Sequence, residues 1–249
     1  AMWPQESGLH LKTYLGSARF EGMKGSEIHM QDTMPRDTIA YFEGENITSL
    51  LREFFGDVQI NEEALAWAEG SYAVGLIPQS GDRISALALV IEVADQEFAA
   101  AKIREAEPIL IAGMASVGVS GDTEFKDGEV DGVRTRYANF DAGIRMDLNY
   151  ALVDNKLIFS TAPEAMKSLI DVNSDNVTSL AANQDFDIAL AKTQALRQTA
   201  FVFLQTESLG EIFSPTAVGD LAEDEEVPPG FIAQVLSPFS NLGISVYNT

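Results

Sequence analysis

The amino-acid sequence predicts an α+β fold, built as two related units of mainly antiparallel sheet with helices packed on one face. Three observations carry that reading. Residues 148–172 spell strand, tight turn, strand and helix in succession. Residues 86–93 form a run that is apolar except for Glu92, and residues 133–140 alternate, the patterns of a central and a half-exposed strand. A short strand, a polar cap and an amphipathic helix recur, at 38–51, 93–103, 159–170 and 199–212. The recurrence suggests a duplicated unit with a cleft between the halves. Strand, cap and helix is also the commonest order in α/β chains, and both explanations stay open.

In chain order, residues 1–34 are expected to be a leader or linker that partly packs on the domain. Residues 3–8 read as a tail. Leu9, Leu11, Tyr14, Leu15 and Phe20 allow a short strand or a turn of helix, but Gly16, Gly22 and Gly25 break any longer period.

Unit 1, residues 35–172, opens with a strand at Thr38, Ile39, Ala40, Tyr41 and Phe42. Gly44 and Glu45 end it. Asn46 caps a helix whose apolar stripe is Ile47, Leu50, Leu51, Phe54 and Phe55, stopped by Gly56. Residues 62–69 make a short helix carrying Leu65 and Trp67, and 72–77 a strand. Residues 78–82 have turn chemistry, and 86–93 form the central strand. Asp95 caps a helix over 96–106 carrying Phe98, Ala99, Ala101, Lys102 and Ile103. Residues 109–121 fit an apolar helix and a buried strand equally well.

The 148–172 stretch is the best defined. Tyr150, Ala151, Leu152 and Val153 are β-prone, as are Leu157, Ile158 and Phe159. Asp154 and Asn155 between them tolerate the positive φ of a two-residue hairpin loop. Thr161 and Glu164 have capping-box spacing. Pro163 costs nothing there, because first-turn amides lack helical partners. Ala165, Met166, Leu169 and Ile170 then form one stripe.

Residues 171–175 are polar and mark a boundary. In unit 2, residues 173–249, Asn183 or Ser179 caps a helix running to about Lys192, with Phe186, Ile188, Ala189 and Leu190 inward. Strands are expected at 200–204, 231–236 and 243–247, a helix from Thr206 or Glu207 carrying Leu209 and Ile212, and an exposed loop at 223–230. The last strand ends without a cap or tail, as if a hairpin partner had been removed, so unit 2 is expected to be truncated.

At 249 residues the chain is long enough for a substantial core. Acidic residues outnumber basic ones 38 to 16, a net charge of -22. A field of that sign repels phosphate backbones and anionic lipid surfaces, which argues against nucleic acid and against charge-driven membrane binding. The absence of cysteine excludes disulfides, thiolate metal sites and cysteine nucleophiles. The longest weakly polar stretch, 109–119, is too short and glycine-broken to span a bilayer. Ala1-Met2 resembles a cloning remnant, so a targeting segment is expected to have preceded it.

Four stretches together resemble a known family. They are residues 35–42 (PRDTIAYF), 86–95 (ALALVIEVAD), 150–165 (YALVDNKLIFSTAPEA) and 179–186 (SLAANQDF). In order and spacing they are similar to a bacterial envelope-protein family known only as a domain of unknown function. The resemblance spans roughly residues 35–215. It implies an N-terminal membrane anchor ahead of an extracytoplasmic region. Its motifs are strand edges and helix caps, so it brings no catalytic residues.

The residues themselves carry little chemistry. His10 and His29 are the only histidines, both in the leader, which leaves no Ser-His-Asp triad in the folded core. Zinc-helix, serine–lysine, P-loop and dinucleotide signatures are all missing. Gly118-Val119-Ser120-Gly121 reads as a turn rather than a nucleophile elbow. Asp127, Glu129, Asp131 and Gly132 match the first half of an EF-hand loop. Ala138 stands where the bidentate Glu is needed, so an acidic turn between strands is the simpler reading. The run Glu223-Asp224-Glu225-Glu226 is a second carboxylate cluster, of the kind usually solvated. Trp67, Tyr41 and Tyr72 could line a sugar site, although such aromatics more often belong to the core.

The expected function is therefore non-enzymatic, with no catalytic, cofactor or metal residues assigned: an extracytoplasmic, membrane-tethered domain acting in envelope structure or through a protein partner in the envelope. The alternative is a module binding a small molecule, glycan or divalent cation in a groove between the units. A concave pocket with converging polar groups would favour the alternative. A carboxylate-dependent hydrolase, with two carboxylates facing across a cleft, ranks third.

Overall fold

The computed structural model describes residues 2–5, 8–15, 29–45, 47, 66–68, 70–80, 85–116, 118–141, 145–174, 176–193, 200–205 and 241–248. Their strands are Met2–Gln5 (β1), Gly8–Leu15 (β2), Ala40–Glu45 (β3), Ser71–Ile77 (β4), Ala86–Glu92 (β5), Ser120–Gly121 (β6), Lys126–Val130 (β7), Val133–Asp141 (β8), Arg145–Val153 (β9), Lys156–Ser160 (β10), Ala200–Gln205 (β11) and Asn241–Asn248 (β12). All twelve belong to one sheet, in the order β1-β2-β12-β11-β3-β4-β5-β10-β9-β8-β6, with β7 beside β6 on the outer edge of β8. Every pairing is antiparallel except β2 with β12. The α-helices among the described residues are Gln96–Ser116 (α1), Pro163–Asn173 (α2) and Gln184–Thr193 (α3). The fold is α+β, as the sequence predicts.

Helices pack on both faces of the central strands, which corrects the expectation of helices on one face. On β5, Ala86, Ala88 and Val90 join one core with α2 and α3, contributed by Met166, Leu169, Ile170, Phe186 and Ala189. Leu89 and Ile91 point the other way, into a core roofed by Ala99 and Ile103 of α1. A strand alternates its side chains between faces. The apolar run 86–91 therefore feeds two cores, and that is the reason it does not alternate.

Several elements differ from expectation. Residues expected as a leader supply β1 and β2, and Met30 and Met34 are fully buried in the α2/α3 core. Strand β3 starts at Ala40 and continues through Gly44, which sits under a tyrosine: a Cβ there would lie 2.7 Å from the Tyr72 hydroxyl. Helix α1 is extended to Ser116 through Pro108. It ends at Gly118 (φ +82°), which returns the Gly118 and Val119 amides to the carbonyls of Ala115 and Met114 at 3.1 Å each. Helix α2 persists to Asn173 inside the expected boundary loop. Strand β12 is no edge, lying between β11 and β2.

Other readings match. Asp154 and Asn155 have φ of 45° and 60° and close the β9–β10 hairpin. The Asp95 carboxylate accepts from the Phe98 amide at 2.9 Å. Asn183 caps α3, accepting from the amides of Asp185 and Phe186 at 2.9 and 3.2 Å. The capping box is not formed: α2 begins without a side-chain cap, and the Thr161 hydroxyl instead accepts from the Leu87 amide at 2.9 Å. Of the helix expected over 62–69, only Ala66–Ala68 is described, as a 3-10 turn. The expected helices after Asn46 (beyond a helical Ile47) and Thr206, and the strand at 231–236, lie outside the described residues.

Candidate functional site

Two concavities gather polar side chains. The first is a groove of about 520 Å³ where Arg36 and Asp37 precede β3, Asp171 closes α2, Thr178 and Asn183 lead into α3, and Gln205 ends β11. Its walls come from both expected units. Backbone bonds fix them: the Arg36 amide donates to the Thr178 carbonyl at 3.2 Å, and the Leu180 amide to Met34 at 2.8 Å. The Asn183 side-chain amide donates to the Arg36 carbonyl at 3.0 Å. Asp171 is held by Lys167 at 3.0 Å. The side chains of Arg36, Asp37, Thr178 and Gln205 have no hydrogen-bond or ion-pair partner among the described residues. The groove thus presents a cation, an anion, a hydroxyl and an amide on a rigid frame.

The second is a cavity of about 550 Å³ between α1 and the strands β7, β8 and β9. The register of β8 against β9 sets Arg136 beside Tyr150, and both point toward α1. Arg136 grips Glu107 of α1 with Nε to Oε1 at 2.9 Å and Nη2 to Oε2 at 2.7 Å, and donates Nη1 to Asp127 at 2.9 Å. The Tyr150 hydroxyl donates to Glu107 as well. Burial pushes the Glu107 carboxyl up. The hydrogen bonds from Arg136 and Tyr150, with the charges of Arg136 and Arg104, outweigh it and hold the group below the usual carboxylate range. Burial, reinforced by Glu107, raises the Tyr150 phenol, so it remains a donor.

A buried carboxylate lies on the opposite face. Glu43 of β3 is 2 % exposed. It accepts from the amides of His29 and Met30 at 2.9 and 3.2 Å, and from the Tyr41 hydroxyl. The His29 ring lies 3.8 Å from Glu43 and 3.4 Å from Glu92. Burial raises the Glu43 carboxyl despite those donors. The cluster pins residues 29–34 onto the sheet.

The carboxylates singled out in the sequence do not converge. Val130 pairs with Val133, so Asp131 and Gly132 (φ 49° and 84°) form a two-residue hairpin turn. Asp127 is bound by Arg136, Asp131 by Lys167, and Glu129 lies opposite Arg134. Among the described residues no three His, Asp or Glu side chains are placed to hold a metal ion. The 223–226 run lies outside the described residues, and His10 is a position on β2. Tyr41, Tyr72 and Trp67 are core, at 1, 0 and 8 % exposure. Gly118 makes the predicted turn, and Ser120–Gly121 continue as β6. Sequence reasoning missed Arg104, Glu107, Arg134 and Arg136. The available signal was two arginines spaced i, i+2 on a strand in a chain dominated by carboxylates. Among the described residues no helix is long and apolar enough to cross a membrane. Comparison with protein-family models, curated proteins and solved structures finds no match.

Proposed function

We propose that the chain is a non-enzymatic binding module that takes a polar small molecule, such as a glycan fragment, in the groove between residues 35–37, α2, the 177–183 connection and β11. One observation carries this reading. Arg36, Asp37, Thr178 and Gln205, unpartnered among the described residues, converge on a concave surface whose walls are fixed by backbone hydrogen bonds. The fixed backbone places these groups around one concavity, and their open donors and acceptors are there for a ligand to satisfy. Adjacent cationic, anionic, hydroxyl and amide groups suit a ligand rich in both donors and acceptors. The two related units, 35–172 and 173–249, frame the groove in this proposal. The non-enzymatic part draws support from the buried Glu43 and the partly buried Glu107, carboxylates already occupied by donors. Location outside the cytoplasm on a membrane anchor rests on the family resemblance.

The test is titration of the ¹⁵N-labelled chain with a soluble N-acetylglucosamine trisaccharide. Saturable shifts confined to the groove, and lost in Val177→Trp, support the proposal. An unchanged spectrum overturns it for glycans. Membrane fractionation of cells making the native full-length protein tests the anchor: recovery in the soluble fraction sinks that part.

A second reading, docking of a protein partner in the envelope, is favoured by Ile109 on α1, an apolar side chain 72 % exposed. It predicts a stoichiometric partner on co-purification that Ile109→Glu releases.

A further inference from the structure

The cavity beneath α1 has a chemistry of its own, independent of the groove. Three of its lining residues are arginines: Arg104 on α1, and Arg134 and Arg136 on β8. Arg136 is neutralised by Glu107 and Asp127. Arg104 and Arg134 are in neither hydrogen-bond nor ion-pair contact with another described residue. That is unusual here, because acidic residues outnumber basic ones 38 to 16 and an exposed guanidinium has many carboxylates to find. Glu107 and Asp127 bond Arg136, while Arg104 acts on Glu107 through its charge alone and Arg134 stands opposite Glu129 without bonding it, so the guanidinium donors of both face the same space unsatisfied by a described residue.

The placement has a structural cause. Arg134 and Arg136 stand two residues apart on β8 and so share a face. Arg104 lies three residues before Glu107 on α1, and is thereby carried to the same side of the helix. Arg136, locked by Glu107 from above, ties the helix to the floor and keeps the gap at a set width. Leu152, the Tyr150 ring and Ala100 supply apolar wall between the charges.

We propose that this cavity binds a small organic anion, its phosphate or carboxylate group held by the Arg104 and Arg134 guanidinium groups and its carbon skeleton resting on Tyr150 and Leu152. The planar guanidinium fork matches either oxyanion with paired hydrogen bonds. The cavity, at about 550 Å³, admits a metabolite-sized ligand and not a polymer. A net charge of -22 repels anions from the rest of the surface, so a response at these two arginines stands out from non-specific binding.

The experiment follows arginine Nε–H resonances of the full chain during titration with three probes: inorganic phosphate, glutarate and uncharged glycerol. Two resonances, assigned through Arg104→Gln and Arg134→Gln, should shift saturably with phosphate or glutarate and not with glycerol. Whichever anion saturates at the lower concentration distinguishes a phosphate from a carboxylate ligand. Each variant should weaken binding at least tenfold, Arg104→Lys should recover only part of it, and Lys156→Gln should leave it unchanged. Arg104 and Arg134 are exposed, so the variants should keep the parent unfolding midpoint. A uniform, non-saturable drift of all arginine signals overturns the proposal. So does undiminished anion affinity in the Arg104→Gln/Arg134→Gln double variant. Neither result touches the glycan titration at the groove.

Discussion

Arg136 and Glu107 meet through two parallel hydrogen bonds of 2.9 and 2.7 Å, joining β8 to α1 across 29 residues of sequence. Glu107 is 12 % exposed and Arg136 21 %, so water competes weakly for either. Removing one partner leaves the other charge partly desolvated. Arg136→Gln should lower stability by about 2 kcal/mol in urea unfolding, below the 3–5 typical of fully buried pairs. The depressed Glu107 carboxyl adds a pH signature. A group whose folded pKa is lowered contributes stability above its unfolded value, and that contribution fades as pH falls through the folded one. The acid-side loss of stability should therefore be shallower in Arg136→Gln than in the parent.

Glu43 runs the other way. Burial raises its carboxyl above the ordinary value, so the folded chain holds the proton more tightly than the unfolded one. Its contribution is complete below the unfolded pKa, about 4.3, and declines as pH rises through the raised folded value. Urea midpoints measured from pH 4 upward should show this decline, and Glu43→Gln should flatten it. An unchanged slope in Glu43→Gln would place the titration elsewhere.

Asp122 offers a third titration. The Lys126 ammonium, at 2.7 Å, and the backbone and side-chain N–H groups of Asn139, at 2.9 and 2.7 Å, converge on its carboxylate. They hold it down to about 2, the Lys126 hydrogen bond contributing most. Its ¹³C carboxyl resonance should stay in the ionised position at pH 3. Lys126→Gln should move the titration upward into the measurable range.

Phe186 joins α3 to the sheet. Its ring meets Tyr41 and Phe203 nearly edge-on, at centroid distances of 5.5 and 5.2 Å, and it is 1 % exposed. Phe186→Ala should cost about 3–5 kcal/mol, because the surrounding rings and strands cannot collapse into the void. The denaturant m-value should be unchanged if only packing is lost.

Local chemistry was legible in the sequence, and long-range pairing was not. The Asp154-Asn155 turn and the Asp95 and Asn183 caps are set by neighbours within three residues, and each formed as read. Helix α1 continues to Ser116, past the 96–106 that the sequence predicts. Pro108 and the even apolar run after it erase the helical period, and only packing on Ala138, Phe140 and their neighbours resolves the choice. The strands in residues 1–34 depend on β12, more than 200 positions away. The cavity was illegible for the same reason. Arg104 and Arg134 reach one space only because α1 folds back over β8, and the groove exists only because 35–37 pair with 178–183.

Thr161 shows how a correct motif can be claimed by a distant partner. Its hydroxyl was expected to cap α2, yet it accepts from the Leu87 amide at 2.9 Å, while its own amide donates to the Leu87 carbonyl at 3.0 Å. The residue thus extends the β10–β5 pairing one position beyond Ser160. The N-cap position of α2 falls on Ala162, one residue past Thr161, so the hydroxyl goes to the sheet contact, whose partner is fixed by the ladder. Thr161→Val should cost about 1 kcal/mol, the net value of one hydrogen bond at a site where water can reach the freed amide. Thr161→Ser should restore most of it. Hydrogen exchange separates the two roles: Thr161→Val should speed exchange at the Leu87 amide and leave the Glu164 amide as it was. Faster exchange at Glu164 instead would return the hydroxyl to the helix.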